Sequence, residues 1–164
     1  MSTRRDARMW AVQFLFQRDF NAGDLEEALT IFWSERKAST KGRKFTEDLV
    51  RGVEARRAEY DARIKEYAQN WDLHRMGGVE RNAMRVALYE MECRPDIPPV
   101  VSVNEAVELC KEMSSDEAGK FANGLLDRAL HDPKRPGRPA GVPKAKGAPE
   151  PEPAPEPAPE PAQE

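Results

Sequence analysis

Histidine and cysteine are nearly missing from this chain, with two of each in 164 residues. The scarcity bears first on catalysis. Neither His74 nor His131 has a ligand-type partner at i+3 or i+4 that would complete a metal set. Cys93 and Cys110 form no CxxC pair and are too few for a disulfide framework, so they read as inert core thiols in a reducing compartment. Gly-rich phosphate loops and nucleophile elbows are absent as well. No apolar run approaches the roughly 20 residues of a membrane span, and the start, MSTRRDARMW, carries no apolar leader segment. No segment alternates with β-branched residues, so strands are not expected. Neither sign of charge dominates: 26 Lys and Arg stand against 29 Asp and Glu, for a net charge of −3. Any nucleic-acid site must then be a local patch rather than a global field. These absences point away from an enzyme and a membrane protein, and toward a cytoplasmic binding protein without a cofactor.

What is present is helical periodicity. A first helix is expected from about Arg4 to Phe20, with Ala7, Trp10, Ala11, Phe14 and Leu15 as one apolar stripe. Asn21-Ala22-Gly23 ends it, and Asp24 with Glu27 forms a capping box for a second helix carrying Leu25, Ala28, Leu29, Phe32 and Trp33 inward. Ser39 to Gly42 reads as a polar loop. A long third helix follows from Phe45 or Thr46, buried through Leu49, Val53, Tyr60, Ile64 and Tyr67, with a solvated, charge-rich middle from Glu54 to Arg63. Trp71 to Met76 is a short helical turn broken at Gly77-Gly78. The fifth helix covers about Val79 to Glu92. Pro95, Pro98 and Pro99 impose an extended connector. The sixth runs from about Val101 to Met113, and Ser114 or Ser115 caps a seventh from Asp116 to Leu130.

Beyond Asp132 no Leu, Ile, Phe, Tyr, Trp or Met remains. Lys134, Arg135, Arg138, Lys144 and Lys146 make its first half basic. The second half repeats Pro-Glu-Pro-Ala and is acidic. With nothing to bury, residues 132–164 are expected to be a disordered tail behind a folded unit of residues 1–131. The tail is a solubilising segment on one reading. On another, its basic half attracts RNA while its acidic half competes.

One helix face suggests a site. At about 100° per residue, Arg5 falls near Phe16 on the first helix, with Arg8 on the flank and Met9, Val12 and Phe20 on the same side. Guanidinium groups for phosphates beside a ring for a base suit single-stranded RNA. The competing reading is a central helix buried on two sides. Both hold together if Phe16 lies at the rim.

Four ordered blocks also resemble the NusB family of transcription antitermination proteins. They are Arg4-Arg5-Asp6-Ala7-Arg8 with Ala11-Val12-Gln13 and Leu15-Phe16; Val79 through Met91; Asp96-Ile97-Pro98-Pro99 leading to Val103 through Leu109; and Lys120 through Asp127. Phe45, Leu49 and Gly52-Val53 agree as well, so the resemblance spans about residues 4–131. It implies an all-α fold of about seven helices in two small packed bundles. It implies binding of the boxA element of ribosomal RNA leader transcripts together with NusE, a small-subunit ribosomal protein. The assembly would join RNA polymerase and promote read-through of terminators in rRNA operons. A homodimer of the free protein is a further arrangement it allows.

By position, the resemblance implies Arg4, Arg5 and Arg8 for phosphates, Phe16 for stacking, Glu80 for base edges, and Glu117, Lys120 and Phe121 from the seventh helix. Asn104 and Asn123 are base readers or structural bridges between helices. Asp6 stands where the family often has a base, Phe16 where tyrosine is common, and Glu117 where aspartate is usual. Two other readings stay open: an RNA-targeting NusB-like module working with an rRNA methyltransferase, and a helical scaffold that binds protein alone.

Overall fold

The computed structural model describes residues 3–69 and 76–134. Among these there are seven helices and no strand: α1 (Arg4–Arg18), α2 (Leu25–Ser34), α3 (Thr40–Ala55), α4 (Arg57–Ala68), α5 (Gly78–Cys93), α6 (Pro99–Met113) and α7 (Asp116–Leu130). None is long and apolar enough to cross a membrane. The expected turn at Trp71 and the expected tail beyond Lys134 lie outside the described residues, except for Met76, which is buried.

Short polar side chains set most of the helix starts. Thr3 accepts the Asp6 N–H while the Asp6 carboxylate accepts the Thr3 N–H, a full capping box for α1. Asp24 accepts the Glu27 N–H at the start of α2, and Ser115 accepts the Ala118 N–H at the start of α7. Ser39 caps α3 through the Gly42 N–H, so Thr40 to Gly42 is the first turn of a helix rather than a polar loop. Pro99 opens α6 two residues before Val101, because proline's fixed φ suits a first helical position.

The expected long third helix is two helices. The chain leaves helical geometry at Arg56 (φ −128°, ψ 22°), and α4 sets off on a new course. The break lets two apolar stripes reach the core: Leu49, Val50 and Val53 from α3, then Tyr60, Ile64 and Tyr67 from α4. The stretch expected to be solvated is so only in part: Glu59 and its alanine neighbours are exposed. Glu54, Arg57, Asp61 and Arg63 turn partly inward and pair with residues of α1, α4 and α5.

Two small bundles result. In the first, α1 packs along α3, and α2 covers them through edge-on ring pairs, Phe14 with Phe32 and Trp10 with Trp33. In the second, α4, α5, α6 and α7 pack together. α5 joins the two and is buried continuously from Asn82 to Glu92. It therefore carries polar groups into the core, and each finds partners, as buried charges must. Arg85 pairs with Asp19 and Asp61, Glu90 with Arg8 and Ser102, and Glu92 with Arg56 and Arg63.

Candidate nucleic-acid interface

The three arginines of the first turns of α1 have three different environments. Arg4 pairs with Asp96 at 2.9 Å, and its guanidinium lies 4.9 Å from the Phe45 ring centroid. Arg5 is 53% exposed and makes a two-pronged contact with Glu105 of α6, at 3.1 and 3.2 Å. Arg8 points inward. Its side chain is 6% exposed, and it donates to both carboxylate oxygens of Glu90, at 2.6 and 3.3 Å. The Ser102 hydroxyl donates to the same carboxylate at 2.6 Å, so α1, α5 and α6 meet at one buried anion. Asp6, which breaks the basic run, is the other half of the α1 capping box. The Thr3-x-x-Asp6 spacing is the signal that would have shown this.

At the far end of α1, Val12 is buried while Phe16 is 39% and Phe20 is 74% exposed. The two rings contact edge to face, with centroids 5.4 Å apart. Phe16 rests on the backbone of Gly78, where an added Cβ would lie 2.6 Å from its ring. A helix buried along one side thus leaves two aromatic rings on its rim. Phe20 belongs with Phe16, and the i, i+4 spacing of two phenylalanines is the sequence signal for that.

Glu80 sits in the first turn of α5, buried, with its carboxylate folded over Gly77. Its charge reaches Cys110 of α6, whose thiol is pushed up to about 12 by burial first and by Glu80 second. Glu117 and Lys120 are exposed on α7. Lys120 and Phe121, with Tyr67, Gln69 and Arg128, line a cleft of about 240 Å³ between α4 and α7. Asn104 and Asn123 are exposed, and neither side chain makes a hydrogen bond among the described residues. The expected bridging role is therefore not observed.

The residue that sequence reasoning missed is Asp19. It caps the carboxyl end of α1, where the helix dipole disfavours an acid. There it meets Arg57, Arg81 and Arg85 and accepts from the Asn82 amide at 2.9 Å. Burial pushes its carboxyl up, but the Asn82 hydrogen bond and the charges of Arg85 and Arg81 outweigh burial, so its pKa lies below the ordinary carboxylate value. The Asn82 amide also donates to the Gly78 carbonyl at 2.8 Å. This network therefore ties the end of α1 to the start of α5, directly beneath Phe16.

Arginines thus stand at one end of α1 and two rings at the other, with α1 packed on the largely buried α5. The NusB family model matches residues 5–131. The chain belongs to the NusB family. A Myxococcus xanthus protein named transcription antitermination protein NusB is 42% identical over 140 residues, covering 81% of this chain and 100% of its own length. A protein of the same name from Desulforapulum autotrophicum is 44% identical over 130 residues, covering 78% of this chain and 91% of its own. Among solved structures, NusB of T. maritima superposes with a TM-score of 0.70 at 35% identity, over 78% of this chain and 91% of that one. A crystal structure of the antitermination factors NusB and NusE in complex with dsRNA gives 0.68 at 26% identity, over 76% and 92%.

Proposed function

We propose that this NusB-family protein is a transcription antitermination factor of the cytoplasm. It binds the boxA element of ribosomal RNA leader transcripts together with NusE and joins the elongating RNA polymerase. The observation that carries the reading is α1 itself, where Arg4 and Arg5 are exposed in the first turn and the Phe16–Phe20 ring pair is exposed at the other end, in a chain whose net charge is −3. Family membership and the likeness to a NusB–NusE–RNA complex support it.

In this reading Arg5 and Arg4 hold phosphates and Phe16 stacks on a base, with Phe20 extending the platform. Lys120, Phe121 and Glu117 contribute from α7, and Glu80 reads base edges beside Gly77. Arg8 acts from within: its charge is held by Glu90, so it fixes the slope of α1 against α5 and α6 rather than reaching the strand. The RNA-binding unit is residues 1–131, with residues 132–164 as an appended tail.

The test is a fluorescence titration with boxA RNA, a scrambled strand and a duplex, each with and without NusE. Tighter binding of boxA than of the scrambled strand in the presence of NusE is expected. Equal binding of the two would overturn the sequence-specific claim. Binding of NusE alone, with no affinity for any RNA, would leave a protein-only scaffold.

A further inference from the structure

A second basic and aromatic site lies on the other flank of α1. The first turn of α1 and the first two turns of α3 enclose a cleft of about 610 Å³, together with Arg94 from the end of α5. Its walls carry Arg4, Lys41, Lys44 and Arg94 against a single acid, Asp48. Phe45 lies among them, with the guanidinium carbons of Arg4 and Arg94 each 4.9 Å from its ring centroid.

The arginines are held by acids. Arg94 takes Asp48 at 2.8 Å and Asp96 at 2.9 Å, and Asp96 also takes Arg4. The lysines are not: Lys41 and Lys44 are exposed and enter no ion pair among the described residues. Counting Asp96 with Asp48, the cleft keeps a surplus of positive charge, and that surplus is the two lysine ammonium groups. Ala7 and Gly42 keep the floor low, so a chain can approach closely.

We propose that this cleft holds the phosphodiester backbone of the RNA beyond its specifically read segment, with Lys41 and Lys44 as the phosphate-binding groups. The inference rests on the RNA-binding reading above and extends it from Arg4 to Lys41 and Lys44 of α3, which that reading does not use. Continuity argues for a strand rather than a small anion. Arg4 lines the cleft and is the sequence neighbour of Arg5, and Phe16 stands about 18 Å further along the same helix at 1.5 Å per residue. A strand lying along α1 past Arg5 reaches Arg4 and then the lysines. Backbone contacts carry no sequence information, so the contribution is equal for any RNA and falls with salt.

The experiment compares the full chain with its Lys41→Ala/Lys44→Ala variant. Binding is measured with NusE present, to boxA RNA extended at both ends and to a scrambled strand of equal length, across a salt series. Each phosphate contact on a single strand contributes about 0.7 to the slope of log affinity against log salt. The double variant should therefore lose about 1.4 of slope, and roughly 25-fold in affinity at 0.1 M salt, on both strands alike. Lys41→Arg/Lys44→Arg should restore both quantities. An unchanged slope, with the unaltered chain binding RNA normally, overturns the cleft proposal alone. A loss confined to the boxA strand overturns it as well, because the lysines would then be reading bases. If the unaltered chain binds no RNA, the functional reading falls and this inference with it.

Discussion

Arg8 and Arg5 stand three residues apart on α1, yet their removal should have opposite consequences. Arg8 is buried against Glu90, which is buried in turn, and Glu90 makes its remaining contact with Ser102. Arg8→Ala leaves that carboxylate without its counter-charge in the core. Breaking a buried pair from one side costs about 3–5 kcal/mol. For a folded unit of roughly 125 residues, an unfolding entropy of about 2.1 cal/mol/K per residue converts this to a fall in Tm of roughly 11–19 °C. Arg5 is mostly exposed, and its pair with Glu105 is worth about 0–1 kcal/mol, or less than about 4 °C. Circular dichroism melts give the first readout. RNA titrations well below both midpoints give the second, and there Arg5→Ala should weaken binding while the folded fraction of Arg8→Ala binds nearly as well as the unaltered chain. Arg8→Met combined with Glu90→Leu should recover part of the lost stability, because the penalty comes from the uncompensated charge. If Arg8→Ala melts within about 4 °C of the unaltered chain but loses RNA affinity, the side chain leaves Glu90 for the RNA and the reasoning is wrong.

Gly78→Ala should push the exposed Phe16 ring off its seat and lower RNA affinity with little change in melting. Phe16→Ala should cost about 1–3 kcal/mol of stacking, or about 5- to 150-fold in affinity; a large drop in Tm with either variant would make the ring a core residue instead. Gly52→Ala places a Cβ inside the ring of Tyr89, which is buried and donates its hydroxyl to Asp48 at 3.2 Å. Overpacking of this kind costs about 1–3 kcal/mol, so the urea midpoint should fall, and an unmoved midpoint would mean that the ring yields freely. Acid should destabilise the fold through Asp19 and Asp96, whose pKa values are both lowered. Arg94 is the main cause for Asp96, through its hydrogen bond. Such groups contribute fully above the unfolded carboxylate value of about 3.9 and lose that contribution as pH falls through their lower folded values. Tm should therefore drop below about pH 4, and a Tm that holds steady there would show that these pairs add no stability.

Helix α1 shows how far local signals go. Its apolar stripe, its Thr3 cap and the i, i+4 spacing of Phe16 and Phe20 all lie within one or two turns, where neighbours in sequence are neighbours in space. The Arg56 break leaves no local mark for the converse reason. No Gly or Pro marks it, and the residues on either side are good helix formers; the chain turns there because two apolar stripes must both reach α5. The same packing drew part of the charged stretch from Glu54 to Arg63 inward.

The sequence by itself determined that this is a helical protein, where five of its seven helices lie, with α3 and α4 read as one, and that arginines and an aromatic ring share α1. Periodicity and capping are short-range, so they can be read from the residues alone. Only the tertiary structure decided which arginine faces water. Arg4, Arg5 and Arg8 take partners 92, 100 and 82 residues away, and no spacing rule reaches that far. The same holds for Asp19 and for the cleft at Lys41 and Lys44. Asp19 meets its arginines only when α4 and α5 pack at the end of α1, and the cleft forms only where α1 lies along α3, because distant residues become neighbours only through packing.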